Sequence, residues 1–166
     1  MTIREFFVKT LGEEKRAFLA VLDAIKDLPR ASLDYKSDPK SKSGFELAGV
    51  IAREHGMVKK FLDTGVWDMK EEMSIHFDTV ALARNELEKN IDESLAKASA
   101  MTEADWDSVG MAWAPMTKGD FAIMMLLDLI HHRGQLSTYI RAMGGRNPSI
   151  YGPSADVSME ELMKKA

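Results

Sequence analysis

Hydrophobic positions recur at spacings of three, four and seven residues in four long stretches, the period of a helix that buries one face. In the first, Ile3, Phe7, Leu11, Phe18, Leu22 and Ile25 form a seam that predicts a helix over 3–28, ended by Pro29. In the second, Phe45, Leu47, Val50, Ile51, Val58, Phe61 and Leu62 predict a helix over 44–64, with Gly65 placed to stop it. The third stripe, Phe77, Val80, Leu87, Ile91 and Leu95, predicts a helix that begins between 70 and 74 and runs to about 100. The fourth predicted helix spans 118–143 and closes at Gly144-Gly145.

Helix starts carry their own punctuation. Thr2 with Glu5, Ser43 with Glu46, and Asp68 with Glu71 each place an N-cap acceptor three residues before an acid. Thr117 with Asp120 is a weaker version, and Ser158 with Glu161 predicts a short terminal helix. Residues 30–43 read as a connection, 102–106 as a short helical turn, and 146–157, with Pro148, Gly152 and Pro153, as ordered loop. No repeat, low-complexity tract or strand alternation competes. The pattern predicts an all-α protein, an up-down four-helix bundle with a short C-terminal helix, forming one domain over 1–166.

Composition narrows the function classes. A chain of 166 residues, 45% hydrophobic and 29% charged, can bury a core of its own and is not disordered. A net charge of −4, with no interleaving of aromatic and basic residues, gives nucleic acid little to bind to. There is no cysteine, which removes disulfides, thiolate metal sites and cysteine nucleophiles. The longest apolar run, 121–130, is broken by Asp128 and is too short for a bilayer. With no apolar signal-peptide core at the start, a soluble cytoplasmic protein without membrane partners is expected. The twelve methionines are read as adaptable core filling. Phosphate-cradling glycine loops, nucleophile elbows and the paired-histidine helix of zinc proteases are absent.

Candidate chemistry concentrates in the fourth helix, where Phe121, Met125, Asp128, His132, Gln135 and Tyr139 share a face. Asp128 and His132 are four residues apart, so their side chains are neighbours able to share a proton or a divalent ion. Leu126, Leu127, Leu129 and Ile130 surround Asp128 in sequence, and a carboxylate among them must be paired, hydrogen-bonded or neutralised. Alternatively this face, with His131 and Thr138, is the solvated side of the helix. Glu14 interrupts the first seam between Leu11 and Phe18. It either sits at the rim through helix drift or faces inward, as a partner for Asp128 and His132. On the second helix Glu46, Val50 and Glu54 share a face, with His55 beside it; His76 is a weaker metal candidate still.

The run Asp128-Leu129-Ile130-His131-His132-Arg133-Gly134-Gln135-Leu136, followed by Tyr139-Ile140-Arg141-Ala142-Met143-Gly144, resembles the closing motif of the DinB/YfiT-like superfamily. The tail from Pro148 to Asp156 is similar to that of one branch of it. The resemblance implies a four-helix bundle, commonly a homodimer, holding a divalent metal on three histidines, one from the second helix and two from the fourth. It also implies, for several relatives, metal-dependent transfer or isomerisation through low-molecular-weight thiols.

Carried onto this chain, His132 matches one fourth-helix ligand and Asp128 stands in place of the other. The second-helix histidine falls at Val50, which cannot ligate; Glu54 shares its face, whereas His55 lies about 140° round the helix from Val50. The expected function is therefore a divalent-metal-dependent (zinc, nickel or manganese), thiol-transferase-like enzyme with a degenerate site at Asp128 and His132. Glu54, His55 or Glu14 would complete it, acting on a small-molecule or thiol substrate. Arg133 and Gly134 fit structural roles, carboxylate pairing and close helix approach. The alternative is a non-catalytic dimeric bundle, a small-ligand-binding or stress-response protein without metal.

Overall fold

The computed structural model describes residues 1–164, so the last two residues of the expected 1–166 span lie outside the described residues. Four long helices, α1 (Ile3–Asp23), α3 (Gly44–Thr64), α5 (Val80–Ala100) and α7 (Lys118–Tyr139), make an all-α bundle. Between them stand α2 (Arg30–Leu33), α4 (Met69–Ser74), α6 (Glu103–Trp106) and a small hairpin of β1 (Val109–Met111) and β2 (Pro115–Thr117); α8 (Met159–Met163) follows α7.

The capping signals act as their chemistry requires. Thr2 with Glu5, Ser43 with Glu46 and Ser158 with Glu161 each close a reciprocal capping box, satisfying backbone donors that a helix start leaves open. At the other ends, Gly65 (φ 69°) and Gly144 (φ 91°) take the left-handed conformation that side chains with a Cβ avoid.

Three boundaries differ from the sequence expectation. The first helix ends at Asp23 rather than near 28, because bonds from Ile25 to Leu22 and from Leu28 to Ile25 tighten the chain into turns ahead of Pro29. The third helix is two: Asp68 caps α4 through the Lys70 amide, the chain breaks over 75–79, and Thr79 caps α5 through the Leu82 amide. Asp78 and Thr79 favour a cap over a helix interior, which places Phe77 in the break instead of on the helical stripe. The fourth helix ends at Tyr139 and unwinds through turns to Gly144. The one-turn α2 and the hairpin carry no sequence periodicity, since three-residue strands are too short to show alternation.

Helix packing runs chiefly α3 against α5 and α7, and α1 against α5 and α7. The long helices therefore form a ring, α1–α5–α3–α7, in which α1 and α3 are diagonal and α7 lies between them. Phe61 of α3 stacks on Phe121 of α7 with ring centroids 4.0 Å apart. The hairpin is fastened below this stack: the Met111 amide donates to Gly65 O at 2.7 Å and the Trp67 amide to Met111 O at 3.0 Å. Among the described residues no helix is long and apolar enough to cross a membrane.

Candidate metal centre

Because α7 faces both α1 and α3, residues 100° apart on it serve different neighbours. His132 turns to α3 and meets Glu54, with His132 Nε2 3.8 Å from Glu54 Oε1. Asp128, one turn earlier, brings Oδ2 to 3.5 Å from the same nitrogen. One ligand atom from each of the three residues lies within 4.8 Å of the others. Metal bonds of about 2.0–2.2 Å set ligand atoms roughly 3–4 Å apart, so small rotamer adjustments bring these three onto one ion.

The sequence leaves the burial of the two acids open. Asp128 is half exposed, its side chain 49% accessible, because its flanking leucines point to other sides of α7. The less exposed of the two is Glu54, at 12%. Burial, then the negative charges of Asp128 and Glu72, push the Glu54 carboxyl up to about 8 against the opposing pull of Arg53 and Lys42. Its Oε2 is buried with no hydrogen-bond partner among the described residues. A buried carboxylate oxygen left without a donor is costly, and a cation between Glu54, Asp128 and His132 removes that cost. Two carboxylates and an imidazole are a donor set that divalent cations accept, so these residues fit a metal.

Gln135 holds the imidazole. Its Oε1 can only accept, so His132 Nδ1 donates to it at 2.9 Å, leaving the Nε2 lone pair directed at Glu54 and Asp128. The Gln135 amide in turn donates to His131 Nε2 at 2.9 Å. Glu72, missed in the sequence, is buried on the one-and-a-half-turn helix α4; it accepts from Trp67 Nε1 at 2.7 Å and lies 3.7 Å from Arg53 Nε.

The remaining candidates lie elsewhere. His55, next to Glu54, is rotated into the core, 1% exposed, and meets the Phe18 ring edge-on at 4.8 Å. Both ring nitrogens lack partners among the described residues and burial pushes the imidazole down to about 3, so it is a neutral core residue outside the centre. His76 is exposed in the break before α5. Val50 is 2% exposed in the core.

Glu14 does face inward, at 7% exposure, but its partner is not the Asp128–His132 pair. Arg133 Nη1 donates to Glu14 Oε2, the Tyr151 hydroxyl donates to Glu14 Oε1, and Arg133 Nη2 donates to the Tyr151 hydroxyl at 2.6 Å. Arg133 faces α1 because His132, one position earlier, faces α3. Tyr151 went unnoticed in the sequence because it sits in the aperiodic tail. Gly134 is exposed, and a Cβ there would meet nothing within 4 Å, so it serves no close helix approach within the chain.

Comparison with known proteins places the fold. A DinB-like protein from Bacillus cereus superposes with a TM-score of 0.71 at 18% identity, over 89% of this chain and 97% of that one. A DinB-like protein from Bacillus subtilis gives 0.67 at 17% identity, over 87% and 96%. No curated protein matches the sequence. The model of the DinB family matches residues 10–163, which takes in most of α1, the other three long helices and the tail. The chain belongs to the DinB family.

Proposed function

We propose that this protein is a divalent-metal-dependent enzyme acting on a small molecule, thiols included, with Glu54, Asp128 and His132 as its metal ligands. The observation that carries this is the buried, partnerless Oε2 of Glu54, set within reach of an imidazole and a second carboxylate. The Glu54 carboxylate takes the role that Val50 on the same face of α3 cannot. An ion held there supplies Lewis acidity, polarising an oxygen or lowering the pKa of a water or thiol.

The protein's own residues do the rest. Gln135 fixes the imidazole tautomer, α3 supplies a largely dry wall, and half-exposed Asp128 leaves one side open for a substrate. The two carboxylates favour manganese or zinc over nickel, which imidazole-rich sites suit better. A homodimer in the cytoplasm is the expected form; a species of 18.6 kDa by light scattering would contradict the dimer.

Metal analysis of gently purified protein tests the centre. Near-stoichiometric zinc or manganese is expected in the wild type and its loss in Asp128→Ala and His132→Ala, with chelator lowering the melting temperature of wild type alone. Background metal in all three, and melting curves indifferent to chelator, would leave the non-catalytic bundle, which the apolar burial of Val50 favours.

A further inference from the structure

The connection between α2 and α3 carries a charge pattern opposite to that of the whole chain. Residues 36–42 hold three lysines and one aspartate in a protein of net charge −4. Lys36 is paired with Glu46 at 3.2 Å, and the Asp38 carboxylate accepts from the Lys40 amide at 2.8 Å. Neither Lys40 nor Lys42 has a carboxylate partner among the described residues. Both line a cleft of about 420 Å³, together with Ser37, Ser41, Tyr139 and His132.

The cleft is polar and preformed. The Ser37 and Tyr139 hydroxyls are hydrogen-bonded at 2.7 Å, and Tyr139 is held edge-on by Tyr35 at 5.2 Å. Among the described residues no carboxylate lines it, and Leu47 is the single aliphatic wall. Two unneutralised ammonium groups on a concave surface draw anions and repel cations, and an apolar ligand would find little to bury against. The cleft opens beside His132.

We propose that this cleft binds the oxyanionic head group, carboxylate or phosphate, of a small molecule whose other end reaches His132. The ammonium groups of Lys40 and Lys42 supply the charge, and the Ser37 and Ser41 hydroxyls supply further donors. Head-group binding stands on the cleft alone; only the placing of the ligand's other end rests on the metal centre proposed above.

Amide-resolved NMR on the full-length chain, stripped of metal, tests this with three titrants: inorganic phosphate, succinate, and sodium chloride at matched ionic strength. Saturable shifts confined to residues 37–42 and 132–139 are expected with phosphate or succinate. The dissociation constant should rise at least tenfold when Lys40→Ala and Lys42→Ala are combined. Both lysines are exposed, and unchanged shifts across α1 and α5 verify that the variant keeps its fold. The titrant that saturates at lower concentration tells phosphate from carboxylate. Shifts that never saturate, that chloride reproduces, or that persist undiminished in the double variant overturn the site. Oxyanion binding in a protein that takes up no metal would keep the cleft and remove the metal enzyme; metal uptake without oxyanion binding would do the reverse.

Discussion

His132 and Arg133 are consecutive on α7, yet one reaches Glu54 on α3 and the other Glu14 on α1. A single helix thus serves the candidate metal centre with one face and a buried charge network with the next. The two can be separated by mutation.

On the His132 side, Gln135→Leu removes the acceptor that orients the imidazole. Metal affinity should fall by about 10–100-fold, the usual consequence of losing such a support. Gln135 is exposed, so stability without metal should change by less than about 0.5 kcal/mol. Competition with a chromophoric chelator reads the first quantity and urea unfolding the second.

On the Arg133 side, Glu14→Gln strands a guanidinium that is 3% exposed and should cost about 3–5 kcal/mol. Combining Glu14→Leu with Arg133→Met should recover most of that loss, because two apolar residues of similar size need no partners. Tyr151→Phe should cost only about 1 kcal/mol. Urea unfolding of the single and double variants provides the cycle, and strictly additive losses would refute a coupled network.

Glu54→Gln sets stability against metal binding. The amide keeps the shape of the side chain and cannot ionise, so the metal-free variant should be as stable as wild type or more so at pH 9. Its metal affinity should fall at least tenfold. A variant that loses stability and keeps its metal would remove Glu54 from the centre.

His55 predicts an acid-sensitive core. Its folded-state pKa of about 3 lies below the unfolded value of 6.5. Above pH 6.5 both states are neutral and nothing is lost. As pH falls from 6.5 toward 3 the unfolded chain takes the proton first, and stability declines by up to about 1.4 kcal/mol per pH unit. His55→Leu removes this slope, so its advantage over wild type should be larger at pH 5 than at pH 7 in urea unfolding. Equal differences at both values would contradict a partnerless neutral imidazole.

The helices were legible because capping boxes and apolar seams are local signals: Ser43 with Glu46 marks the start of α3 and Gly65 its end. The break at 75–79 was hidden, since Phe77 and Val80 continue a helical spacing that the Thr79 cap interrupts. Within the site, the spacing of Asp128 and His132 was readable, and so was the alignment of Glu54 with the face of Val50. Which acid is buried was not, because that depends on the packing of α3 against α7 rather than on flanking leucines. Glu14 stood out as a charge on a seam, but its partner Tyr151 lies 137 positions away in the sequence, in a segment with no period. Lys40 and Lys42 were visible as charge and became meaningful only when folding set them beside His132.

The hydrogen-bonded ring of Glu14, Arg133 and Tyr151 also bears on synthesis of the chain. A ribosome delivers Glu14 first, Arg133 119 residues later and Tyr151 18 residues after that. Until then the emerging first helix holds an unmatched acid on the surface it must later sequester. The guanidinium that matches it arrives only with α7, and the irregular tail adds its hydroxyl after that.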